Sequence, residues 1–233
     1  MGIHTKIVEF MGPAACGKSS LCNLLRDRFL KENVSVATWT DLTRTFKQQH
    51  FFTKIRCVSL LRFFLYLKMY RLAKPEKIWR RYLFLYFIKI DILYTYAKKF
   101  SNYTFVFVEH GILQNIISTQ TQVVIADEKK FLLELIFLLE RINSVDFCIC
   151  CDIDVEEALS RMKKRNRINE GRIDKEKNIE KKRLLLQRDA DNCCALFECL
   201  KLCKRNRILK KLDVRNDLDV LYRELLPAFT VEK

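Results

Sequence analysis

Apolar and polar positions alternate in blocks along this chain, and each block has the period of a recognisable element. The stretch KIVEF runs into Met11 as a short apolar strand, a turn follows from Gly12, and Leu21, Leu25 and Phe29 then recur every fourth residue. A strand, a turn and a helix packed on a sheet are what that succession predicts. A second strand is expected at roughly Ser35 to Thr38, ending in TWTDLTR. Residues 45–103 have helical period and are rich in aromatic and basic side chains, with Pro75 marking a break between helices. The compact run TFVFVEHG reads as a third strand closed by Glu109, His110 and Gly111. The run VDFCICCDI reads as a fourth, and DVEEALSRMKK as a helix capped by Asp154. A further helix, a strand around Ile208 to Val214 and a helix from about Leu218 to Leu226 finish the alternation. Alternating strands and helices predict a layered α/β fold, and 233 residues suit one such domain rather than two.

The turn carries the chemistry. Gly12, Pro13, Ala14, Ala15, Cys16, Gly17, Lys18 and Ser19 fit G-x-x-x-x-G-K-[ST], the phosphate loop, without a mismatch. The glycines let the backbone curl so that successive amides face phosphate oxygens at the positive end of the next helix. Lys18 would reach the β and γ phosphates of ATP, Ser19 would ligate Mg2+, and Ser20 beside it would join the nucleotide-binding residues. Two of the chain's five glycines are spent on this loop. Glu109, a carboxylate closing a buried strand beside the loop, is placed to organise magnesium with Ser19. Asp41 and Arg44 allow two readings. Past the end of a strand, Asp41 orients or deprotonates an acceptor hydroxyl while Arg44 holds a phosphate; alternatively Asp41 caps a helix and Arg44 is a solvated charge. Arg80 and Arg81, in the helical insertion, are candidates for an anionic acceptor. The arginine-rich stretch 160–176, with Arg161, Arg165, Arg167 and Arg172 around Gly171, is a candidate lid over the transferring phosphoryl group.

Charge and cysteine content narrow the partners. Lys and Arg outnumber Asp and Glu by 43 to 28, which predicts attraction to something anionic. The apolar region 55–97 is interrupted by Arg62, Lys68, Arg71, Lys74, Arg80, Arg81 and Lys89, so it predicts no membrane span. The opening MGIHTKIVEF lacks the regions of a signal peptide, and Lys6 stands where a myristoylation signal needs Ser or Thr. A cytoplasmic protein with reduced thiols is therefore expected. Cys148 and Cys151 form a C-x-x-C, but on a strand their side chains should diverge, favouring buried thiols over zinc.

Taken together, GPAACGKSS, the strand ending in Glu109, DVEEALSRMKKRNR and LDVRNDLDVLYREL resemble the thymidylate kinase group of P-loop kinases over nearly the whole chain. That resemblance implies a three-layer P-loop NTPase fold with a mostly parallel five-stranded sheet. It also implies ATP and Mg2+ at the loop, an acceptor site between the end of strand two and the helical insertion, and the arginine lid. Arg215 and Asn216 would lie near the adenine. The group usually carries Asp-Arg after its third strand, where this chain has Glu109 and His110, and the usual Arg-Glu-Pro at the end of strand two is missing. The acceptor expected is thus a nucleoside, a nucleotide or a phosphorylated metabolite rather than thymidine monophosphate itself. No stable nucleic-acid partner is expected, and a homodimer stays open. Two further readings stand beside the kinase: a regulatory nucleotide switch, and a basic protein that docks its aromatic helices on nucleic acid or anionic lipid.

Overall fold

The computed structural model describes residues 5–59, 61–64, 66–67, 77–122, 145–164, 172–202, 208–213 and, near the end of the chain, 219–220, 222–223, 225 and 227. Strand β1 (Lys6–Met11) feeds helix α1 (Lys18–Lys31), and β2 (Val36–Thr38) feeds α2 (Trp39–Lys47). The insertion contributes α3 (Phe51–Arg56) and α4 (Lys77–Phe100) before β3 (Phe105–Val108) and α5 (Ile112–Gln122). Then come β4 (Phe147–Asp152), α6 (Val155–Lys164), the short α7 (Arg172–Lys175), α8 (Ile179–Leu202) and β5 (Ile208–Asp213). The described residues beyond β5 are helical or close a helix, as expected for the last element.

The five strands lie in the order β2-β3-β1-β4-β5, and every pairing is parallel. This is the α/β P-loop arrangement, with the strand that leads into the phosphate loop at the centre of the sheet. Successive side chains alternate between the two faces. Ile7, Met11, Val106, Val108, Cys148 and Cys150 join one core with α4, α5 and α8. Val8, Phe10, Phe105, Phe107, Phe147, Ile149 and Cys151 join the other with α1 and α6. Both sides of the sheet are therefore covered, which is what near-continuous apolar strands require. The same alternation sends Cys148 and Cys151 into different cores, so the C-x-x-C does not converge on one point.

Two boundaries differ from expectation. The helical insertion was expected from residue 45, yet α2 starts at Trp39. The cause is local: the Thr38 hydroxyl accepts from the Asp41 amide while the Asp41 carboxylate accepts from the Thr38 amide at 3.0 Å, a reciprocal capping box that starts the helix directly after the strand. Thr38 is the N-cap and Asp41 the third helical residue, so Asp41 is not itself the cap. Strand β2 also starts one residue later than Ser35, whose carbonyl still accepts the Thr104 and Phe105 amides. Pro75 lies outside the described residues. Among the described residues, no helix is long and apolar enough to cross a membrane.

Candidate active site

The phosphate loop curls because three of its residues hold positive φ: Gly12 at 155°, Ala15 at 65° and Gly17 at 95°. At Gly12 a Cβ would sit 2.5 Å from the Cys151 carbonyl oxygen and 2.7 Å from Cys16 Sγ, so only glycine fits between the loop and β4. Gly17 is the left-handed N-cap of α1, and its carbonyl accepts the Leu21 amide at 3.0 Å. No acidic residue of α1 itself occupies its first turn. Lys18 Nζ donates to the loop's own carbonyls, Gly12 at 2.6 Å and Pro13 at 2.9 Å, and lies 3.4 Å from Cys16 Sγ. Cys16 is itself buried, and a hydrogen bond from the Cys151 thiol, aided by the Lys18 charge, holds its own thiol below the usual range against the effect of burial.

Ser19 and Glu109 meet in the fold. The Ser19 hydroxyl donates to Glu109 Oε2 across the gap between α1 and the end of β3. An alkoxyl oxygen and a carboxylate side by side beside a phosphate cradle are hard oxygen donors of the kind magnesium prefers. Arg161 also arrives: from the last turn of α6 its Nη1 lies 3.6 Å from where a Cβ on Gly17 would stand, while its Nε is held at 2.8 Å by Glu157 one turn earlier. Asp154 starts that helix by accepting the Glu157 amide at 2.8 Å.

On the β2 side, Asp41 has one carboxylate oxygen on the Thr38 hydroxyl at 2.7 Å and on the Thr38 amide at 3.0 Å. Burial pushes its pKa upward; those two bonds and the charges of Arg26 and Arg44 outweigh it and hold the carboxyl below its ordinary value. Arg44 itself is exposed. The side chains of Arg80 and Arg81, and all of Arg165, Arg167, Gly171, Arg215 and Asn216, lie outside the described residues, as does the side chain of Arg172.

Three features were not anticipated. Arg26, two turns beyond Ser19 on α1, acts electrostatically on both Asp41 and Cys22, and the Cys22 thiol in turn bonds to Glu109, so α1 links the Asp41 side of the site to the Ser19 side. Glu9, in the middle of β1, is fully buried. Its Oε1 accepts the Gln114 amide at 3.0 Å and its Oε2 the Tyr94 hydroxyl at 3.1 Å. Burial pushes its carboxyl up to about 7 in spite of those bonds and the amides of Ile112 and Leu113. Gln114 completes the set: its Oε1 accepts the Gly12 amide at 3.0 Å. Glu9 did leave a signal, a lone carboxylate inside an apolar strand; Gln114 left none.

Comparison with known proteins gives a likeness of path rather than of sequence. No protein-family profile matches the chain, and no curated protein matches it in sequence. Three solved structures of a deoxyadenosine kinase from M. mycoides are similar. The one with bound dATP shares 14% identity over 95% of this chain and 97% of that one, at a TM-score of 0.49. The one with the products dCMP and a flexible dCDP shares 11% over 97% and 100%, and the one with dCTP shares 12% over 95% and 97%, each at 0.49. These neighbours are kinases of a nucleoside, within the broad nucleoside and nucleotide kinase group that the motifs resemble, and not thymidylate kinases in particular.

Proposed function

We propose that this chain is an ATP-dependent phosphotransferase that moves the γ-phosphoryl group to a small hydroxyl-bearing acceptor, a nucleoside, nucleotide or phosphorylated metabolite. The observation that carries the reading is the convergence at one strand end of the curled loop, the Ser19 and Glu109 oxygens and the Arg161 guanidinium. The loop amides and Lys18 would hold the triphosphate. Ser19 and Glu109 would hold Mg2+, whose contribution is to neutralise phosphate charge. Arg161, and Arg165 with it, would stabilise charge that develops on the transferring group. Asp41 would orient the acceptor hydroxyl, with Arg44 and Arg80 toward its anionic part. Asp41 already accepts two bonds from Thr38, so orientation suits it better than taking the proton outright.

ATP consumption across a panel of nucleosides, nucleotides and sugar phosphates tests this. One acceptor class should raise turnover, and Lys18→Ala should lower it by roughly 10²–10³-fold or more with the fold intact by circular dichroism. Full activity in Lys18→Ala would remove the kinase reading. Slow hydrolysis that no acceptor stimulates would favour a nucleotide switch instead.

A second reading is favoured by the outer face of the insertion. Phe51, Phe52, Ile55, Leu61 and Phe64 are exposed there, and residues 42–90 hold twelve Lys or Arg against one acidic residue, Glu76. Aliphatic and aromatic side chains among cations suit an anionic lipid surface, since aliphatics give bases nothing to stack on. Co-sedimentation with phosphatidylserine vesicles but not with phosphatidylcholine vesicles would support that docking; equal behaviour with both would dismiss it.

A further inference from the structure

We propose that Glu9 and Gln114 act as a positioning couple for the phosphate loop, fixing the direction of its first amide from beneath the sheet end. The inference rests on the loop being a triphosphate cage, and its geometry stands on its own. A carboxylate within a strand core costs free energy unless hydrogen bonds compensate it. Here the compensation comes from the Tyr94 hydroxyl and from the free amides that open α5. Gly111 shows how close that helix start is: a Cβ on it would run into the Tyr94 hydroxyl and the Glu9 carboxyl. Glu9 thereby sets where α5 begins, and three residues after Gly111 the Gln114 side chain turns back to take the Gly12 amide.

Gly12 and Gln114 are both buried, so without Gln114 the Gly12 amide would lose its acceptor where no solvent replaces it. The chain of bonds runs Tyr94, Glu9, Gln114, Gly12, and so joins the insertion helix α4 to the loop. Trp39 of α2 packs edge-on against Tyr94, bringing the Asp41 helix to the same point. The titratable groups facing Glu9 are Tyr94 and, beyond it, Tyr66, which is next to Asp91 and Arg62; α5 offers amides, and Val108 and Cys148 flank Glu9 in the sheet.

The test uses the full chain with Glu9→Gln, Gln114→Met and the double variant. In nucleotide-free protein, amide hydrogen exchange at Gly12 should speed up at least about ten-fold in Gln114→Met, while core amides of β3 keep their protection. Unchanged exchange at Gly12 would overturn the couple. With Mg·ATP, each single variant should bind about five- to ten-fold more weakly, and the double variant should be weaker by clearly less than the product of the two. Independent, multiplying effects would overturn it too. Because burial lifts the Glu9 carboxyl to about 7, the affinity ratio of wild type to Glu9→Gln should grow from about pH 6 to about pH 8, and ATP's own protonation cancels in that ratio. A flat ratio would reduce Glu9 to packing. If wild type binds no ATP, the proposed function fails while the exchange experiment still decides the couple; if Glu9→Gln does not fold, Gln114→Met carries that experiment alone.

Discussion

The phosphate loop and the insertion's outer face, two regions less than forty residues apart in sequence, are built on opposite terms. Around the loop polar groups are buried or half-buried beside a partner: Gly12 with Gln114, Lys18 with the loop carbonyls, Ser19 with Glu109. Over Phe51 to Phe64 large apolar side chains stand in solvent, with Phe52 78% exposed. The difference teaches that the loop's shape is set from within the domain, by the sheet and by what lies under it, whereas the outer face contributes little to folding and is available to something else. Substitutions under the loop should therefore act strongly on stability and on nucleotide binding together, and substitutions on the outer face on neither.

The strongest way to sharpen that contrast is Glu9. Its carboxyl is raised from an ordinary 4.5 to about 7 by burial, so between those values the folded chain holds a proton that the unfolded chain has lost. Stability is then fully present below about pH 4.5 and falls as pH rises through about 7, by on the order of 3 kcal/mol. Chemical denaturation across this range should show that fall in wild type and a much flatter line in Glu9→Gln; parallel lines would contradict the burial argument. Next is Gly111→Ala, where the added methyl meets Tyr94 and Glu9. A loss of about 1–3 kcal/mol is expected by thermal or denaturant unfolding, and a neutral result would mean the start of α5 is not pressed on Glu9. Asp41→Ala should cost about 1 kcal/mol through the capping box alone; if Asp41 also orients the acceptor, turnover falls further than that while ATP affinity holds. Smallest is Phe52→Ser, expected within about 0.5 kcal/mol of wild type in stability, with any effect confined to binding of anionic vesicles. A large destabilisation there would erase the contrast between the two regions.

How much of this was legible beforehand follows the same division. The loop, its strand and its helix were readable because one contiguous motif dictates them, and Glu109 because a carboxylate closing an apolar run stands out. The opposite faces of Cys148 and Cys151 followed from strand period alone. The start of α2 at Trp39 was only half legible: one reading made Asp41 a helix cap, but the cap is Thr38 three residues earlier and Asp41 closes the capping box. Gln114 and Arg26 were invisible for a different reason. Their roles exist only once α5 is brought beside the end of β1 and α1 beside α2, and no local pattern encodes a contact over 102 residues such as that from Gly12 to Gln114.

The claim on which everything turns is that the curled backbone between β1 and α1 encloses a triphosphate. Isothermal titration of the chain with Mg·ATP, and with Mg·GTP beside it, measures this directly. Saturable heat with one of them, lost or strongly weakened in Lys18→Ala, is the result predicted; no heat from either nucleotide at millimolar concentration in a folded wild-type chain would contradict it.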